Sequence, residues 1–242
     1  MRKKRALLTS ALIVLLLLSI PALWLGIRWQ HYRFLTDSGV VHAWSHADEA
    51  WFWRCPQQVY LQDLDETQVT PAAVGAALQH YASVQEINFR RNSRAWLDAC
   101  LSRWQDRHSV QNLLVVYSSM HDAHLAGFAG ADLHLGWFKD NSLSGETFPS
   151  SPHLTSMEII SNPLTASGLR KIAQQCPQLQ KLWLHDTPVT ADAVRDSGLF
   201  QLPALTHLYI REMDATEDEL KALRKSAVAA NPKLRLYLDD EL

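Results

Sequence analysis

Toward the C-terminus the apolar residues fall into a phrase that returns three times. Leu154, Met157 and Ile159 precede Asn162, Leu164 and Thr165; Leu179, Leu182 and Leu184 precede Thr187, Val189 and Thr190; Leu205, Leu208 and Ile210 precede Met213, Ala215 and Thr216. Equivalent positions lie 184 − 159 = 25 and 210 − 184 = 26 residues apart. A fixed period of this size predicts stacked supersecondary units sharing one continuous core. Within each phrase the two central apolar residues alternate with a polar or aromatic one, as in a short strand with one buried face. The closing threonine is a helix N-cap candidate. After Thr165 the apolar positions Leu169, Ile172 and Ala173 recur at helical spacing until Cys176-Pro177, where proline ends the helix.

The phrase extends backward. Val110-Leu113-Val115 and Val84-Ile87-Phe89 keep the period (115 − 89 = 26), and Val59-Gln62-Leu64 continues it (89 − 64 = 25). Gln62 puts an amide where an apolar residue belongs, which suits a terminal unit with one unstacked side. From Val115 to Ile159 there are 44 residues, too many for one unit. Leu133-His134-Leu135 predicts a shortened extra strand; the alternative is one unit with a Gly/Ser-rich excursion from Lys139 to Pro152.

This pattern, L-x-x-L-x-L-x-x-[N/T]-x-[L/V]-T, resembles a leucine-rich repeat of the longer, helix-containing type. Gly168-Leu-Arg-Lys-Ile172-Ala-Gln-Gln-Cys176-Pro-Gln-Leu179 is similar to its cysteine-containing subclass. The resemblance is firm over about residues 154–238 and looser over 59–153. It implies an α/β fold: a right-handed leucine-rich-repeat solenoid with a parallel concave sheet and convex helices.

The N-terminus changes the picture. Met1-Arg-Lys-Lys-Arg5 precedes a mostly apolar run from Ala6 to Ile27, long enough to span about 30 Å of hydrocarbon. Trp24, Trp29, Tyr32 and Phe34 gather at its far end, where amphipathic rings favour the interface. A cleaved signal peptide would have a shorter apolar core and a small-x-small site, which Leu23-Trp24-Leu25 does not resemble. The expected organisation is a basic cytoplasmic tail (1–5), one N-terminal transmembrane helix acting as signal anchor (6–27), a juxtamembrane capping segment (28–56) and the repeat domain (57–242). Positive charge before the span predicts a cytoplasmic N-terminus and extracytoplasmic repeats. Residues 29–242 hold 18 Lys/Arg and 25 Asp/Glu, a formal charge of −7, which argues against a general nucleic-acid surface.

Candidate chemistry is sparse. No nucleotide loop, H-E-x-x-H, C-x-x-C or G-x-S-x-G occurs. In the capping segment, His42 and His46 stand four apart among Trp44, Trp51 and Trp53; the tryptophans are expected to cover the first strand. His121, Asp122 and His124, with Asp132 and His134 nearby, have the residue types for zinc or acid–base work, the basis of a metalloenzyme alternative. Polar residues of an irregular repeat also simply face water, and no cofactor is expected. Cys176 is expected buried and reduced; Cys55 and Cys100 have the option of pairing.

The outward residue of each strand is the stronger candidate. That column reads Asp63, Asn88, Leu114, His134, Glu158, Trp183, Tyr209 and Tyr237, and its neighbour supplies Arg90, His185, Arg211 and Asp239. Strands about 4.8 Å apart would set Trp183, Tyr209 and Tyr237 in a contiguous ladder. Aromatics beside arginine have the composition of interface hot spots, although such ladders also stabilise sheets. The expected function is therefore non-catalytic recognition of a protein partner through the concave face, centred on Trp183, Tyr209, Tyr237, His185, Arg211, Glu158 and Arg90. It resembles that of membrane-anchored repeat proteins of bacteria. A structural spacer in the envelope is a further alternative.

Overall fold

The computed structural model describes residues 57–62, 69–81 and 84–238, together with 19–20, 23–27, 29–31, 33–35, 37–38 and 40. Strands alternate with helices except between β4 and β5, which follow each other directly: β1 (Gln58–Gln62), α1 (Pro71–Leu78), β2 (Glu86–Arg90), α2 (Arg94–Arg103), β3 (Asn112–Val116), α3 (Asp122–Ala126), β4 (Leu135–Lys139), β5 (Ser156–Ile160), α4 (Ala166–Gln175), β6 (Lys181–His185), α5 (Ala191–Arg195), β7 (His207–Arg211), α6 (Glu217–Ala230) and β8 (Arg235–Leu238). The eight strands form one sheet in sequence order. Every pairing is parallel. The result is a solenoid-like α/β stack.

Each strand alternates because only one face meets the helices. Met157/Ile159, Leu182/Leu184 and Leu208/Ile210 are buried in register, while Glu158, Trp183 and Tyr209 remain half-exposed. Every described helix sends its buried residues into one continuous core. The sheet thus has one covered face and one open face.

The helices start where the hydroxyls predict. Thr165, Thr190 and Thr216 accept hydrogen bonds from Gly168 N, Ala193 N and Glu219 N, satisfying otherwise orphaned amides. Thr70 makes no such bond; Pro71, with no N–H to satisfy, opens α1 instead. Gly168 is required by a close approach, since a Cβ there would lie 1.9 Å from Ser144 O.

Two strand assignments differ from the sequence reading. Between β3 and β5 the strand is not Leu133-His134-Leu135 but Leu135–Lys139, in register with Asn112–Val116 and Ser156–Ile160. Its phrase is Leu133-x-x-Gly136-x-Phe138-x-x-Asn141-x-Leu143, with steps of 138 − 115 = 23 and 159 − 138 = 21 residues. Glycine occupies an apolar slot because Phe138 fills the space: a Cβ on Gly136 would sit 2.8 Å from the Phe138 ring. Four further residues of Lys139–Pro152 that looked like an excursion, Asn141 to Ser144, continue this repeat. The second correction is at β1, where Val59 and Leu61 are the buried pair, matched to Ile87 and Phe89. Gln62 lies on the exposed alternate rather than in a core slot, and 89 − 61 = 28.

Polar residues after β2, β3, β4 and β5 tie one unit to the next. Asn162 Nδ2 donates to Phe138 O (3.0 Å) and Ile160 O (2.7 Å), and its Oδ1 accepts from Leu143 N. Asn141 Nδ2 donates to Val115 O and Lys139 O, both at 2.8 Å. Asn92 N donates to Ser118 Oγ at 3.1 Å. Asn162→Ala is expected to lower stability by about 1–3 kcal/mol, because buried backbone groups lose partners. Urea unfolding measures this, and an unchanged midpoint would refute the role.

Nearer the N-terminus, Leu35 and Val40 are fully buried in the same core, and Val40 O accepts from Tyr60 N at 3.0 Å on the edge strand. The proposed capping residues His42, His46, Trp44, Trp51 and Trp53 lie outside the described residues, as do residues 1–18 of the expected tail and span. No helix among the described residues is long and apolar enough to cross a membrane.

Candidate functional site: the open face of the sheet

Parallel pairing in constant register converts a residue's place in the repeat into a place on the open face. Trp183 is matched to Tyr209 and Tyr209 to Tyr237. Their rings stack: Trp183 and Tyr209 have centroids 4.9 Å apart and planes 3° apart, and Tyr209 and Tyr237 follow at 4.6 Å and 7°. His207 lies nearly parallel to both tyrosines, 6.1 Å from Tyr209 and 6.3 Å from Tyr237. The spacing equals the strand separation, so the rings stand across the sheet with edges outward and offset faces in contact.

The remaining predicted residues divide. His185 and Arg211 are register partners beside the stack, and Glu158 pairs with Trp183 on its other side. His185 Nε2 lies 3.0 Å from Glu212 Oε1. Arg90 shares the column of His185 and Arg211 but stands four strands from His185, about 19 Å away, so it is not part of the same patch. Asp239 lies outside the described residues, as does Asp63.

Two column members were misread. Tyr60 replaces Asp63, because the β1 register differs, and Trp137 replaces His134, because β4 begins later. The central column of the open face is therefore Tyr60, Asn88, Leu114, Trp137, Glu158, Trp183, Tyr209 and Tyr237. The signal for Trp137 was the Asn141-Leu143 pair downstream, hidden by the glycine at 136. Three buried polar atoms of this face have no partner among the described residues: Asn88 Oδ1, Arg90 Nε and Trp137 Nε1.

Charge is uneven across the face. The outward positions of β6 to β8 include Lys181, Arg211 and Arg235, with no described acid among them. Glu86 and Glu158 are the two described acids of the face. Burial pushes the Glu158 carboxyl above its ordinary range.

The histidine-rich loops resolve into two separate groups. His124 is buried; its Nδ1 accepts from His121 N at 3.1 Å and its Nε2 lies 2.7 Å from Asp98 Oδ1. Asp122 accepts from Ser144 N (2.9 Å), Gly145 N (3.2 Å) and Glu146 N (3.0 Å), holding the loop after β4. These residues brace the irregular repeat. His134 belongs elsewhere: its Nε2 lies 3.3 Å from Asp132 Oδ1, which His153 Nδ1 also meets at 2.5 Å. The triple His121, His124 and His134 therefore does not assemble into one ligand set; among the described residues only Asp132, His134 and His153 bring three ligand atoms within 4.8 Å of one another. Two imidazoles and a carboxylate suit a borderline divalent metal. Their ordinary reading is a hydrogen-bonded surface cluster, and the bond from His153 holds the Asp132 carboxyl below its usual range.

Cys100 and Cys176 carry free thiols, both buried and both pushed up to about 12 by burial, so neither is a nucleophile at neutral pH. Cys55, the possible partner of Cys100, lies outside the described residues. No protein-family model matches the chain, and no curated protein matches it significantly.

Proposed function

We propose that the chain is a non-catalytic recognition module of the leucine-rich-repeat type, tethered to a membrane and binding a protein partner through the open face of its sheet. The observation that carries this reading is the uncovered stack of Trp183, Tyr209 and Tyr237 beside Arg211. Aromatic rings and arginine are the side chains that contribute most when desolvated at an interface. A sheet already ordered loses little conformational entropy on binding. In this reading the sheet is concave and the helices convex on a right-handed coil, as the repeat phrase implies.

The tether is residues 6–27, with the N-terminus cytoplasmic and the repeats outside. Ile20 and Leu23 support it, being 66% and 67% exposed: apolar surface of this kind suits lipid.

A photo-crosslinking side chain at exposed Arg211, in the full chain in its native membrane, tests the reading. Discrete protein adducts are expected there and not from a probe at Arg170 on the helix side. Equal labelling from both sites would sink the proposal.

A further inference from the structure

The two acids of the open face are in unlike situations. Glu86 is satisfied: Tyr60 Oη donates to its Oε1 and Asn112 Nδ2 to its Oε2, both at 3.2 Å. Glu158 makes no hydrogen bond and no ion pair with any described residue, although Lys139 and Lys181 stand on the neighbouring strands. Burial raises its pKa above the ordinary carboxylate range. A half-buried carboxylate without a partner costs stability that ordinary surface acids do not.

Its surroundings say what would satisfy it. The register partners of Glu158 are Trp137 on one side and Trp183 on the other. One face of Trp183 is taken by Tyr209, parallel to within 3°. The opposite face therefore turns toward β5, over Glu158. Trp137 and Trp183 stand two strand spacings apart, about 10 Å. One flat group between two rings needs two contacts of about 3.5–4.0 Å, or about 7–8 Å; two such groups would need three contacts and would not fit. The register thus sets one indole on each side of a carboxylate that has no partner among the described residues.

We propose that Trp137, Glu158 and Trp183 form a slot that takes the guanidinium of an arginine presented by the protein partner. This deepens the recognition reading and rests on it. A guanidinium is planar, weakly hydrated and always charged; it stacks on indole faces and offers a carboxylate two parallel N–H donors. The columns on either side carry Lys139, Lys181, His185 and Arg211, so a polybasic segment would be repelled. The charge pattern fits one arginine flanked by acidic residues.

The probe is N-acetyl-arginine amide, with N-acetyl-citrulline amide as its neutral isostere, titrated into the detergent-solubilised full chain. Indole N–H resonances are read by NMR and assigned with single Trp→Phe variants. Saturable shifts at Trp137 and Trp183 are expected, with arginine favoured at least about tenfold, the ratio that about 1.4 kcal/mol represents. Glu158→Gln keeps the side-chain shape and is expected to erase that preference. Equal response to both probes, shifts confined to other tryptophans, or an unchanged preference in Glu158→Gln would each overturn the slot. The partner itself separates the two levels of the argument. If binding survives Glu158→Gln but is lost when Trp183 and Tyr209 are removed, recognition by this face stands and the slot falls. If neither change matters, both fall.

Discussion

With Trp183 and Tyr209 both reduced to alanine, the protein is expected to stay folded and to lose its partner by about a hundredfold or more. The two halves of that expectation come from different magnitudes. On the sheet, the double change removes the Trp183–Tyr209 and Tyr209–Tyr237 stacking contacts. Cross-strand pairs contribute roughly 0.2–1 kcal/mol each, well below the 5–15 kcal/mol that holds a domain together. At an interface, a desolvated aromatic anchor contributes about 2 kcal/mol or more, so losing two weakens binding by about a thousandfold, and by about a hundredfold if their contributions overlap. Circular dichroism and thermal melting check the first half; partner retention on immobilised protein checks the second. A folded double variant that retains its partner would leave the stack a device for sheet stability alone.

Leu184→Asp is expected to abolish the cooperative melting transition. Leu184 is 1% exposed and packs in register between Ile159 and Ile210. Its loss removes about 2–3 kcal/mol of burial, and the aspartate adds an unpaired carboxylate at several kcal/mol more. Together they approach the whole stability of a domain. The position is also inside the stack, where each unit depends on its neighbours. The same substitution one residue earlier, at Trp183, faces outward and is expected to leave a cooperative transition. A normal melt for Leu184→Asp, or equal damage from the two changes, would refute the alternation on which every open-face assignment depends.

Legibility in the sequence tracked the regularity of each repeat. Over residues 154–238 the apolar phrase predicted strand, cap and helix correctly, and with them the Trp183–Tyr209–Tyr237 alignment. The irregular repeat failed because one deletion of side-chain volume, at Gly136, was balanced by Phe138 two residues later, and pattern matching counts positions rather than volume. At β1 the phrase fitted two registers, and only pairing to β2 distinguishes Val59/Leu61 from Gln62/Leu64. The left-handed turns were not foreseen. Arg91, Tyr117, Asp140, Ser161, Asp186 and Glu212, each the residue directly after a strand, all have φ between 48° and 57°. None is glycine. The next unit holds them there: Tyr117 N, Asp140 N and Ser161 N donate to carbonyls of the following strand at 2.9–3.0 Å.

By itself the sequence determined what repeats: which side chains face inward, where helices begin, and which aromatics share a column. These follow from the periods of 2 and 3.6 residues, which are local properties of the backbone. The tertiary structure decided who meets whom across 20 or more residues of chain. It separated His134 from His121 and His124, gave Glu86 two donors and left Glu158 none among the described residues, and stacked Trp183 on Tyr209. Such differences depend on the distance and direction between atoms of neighbouring turns, and no one-dimensional pattern encodes them.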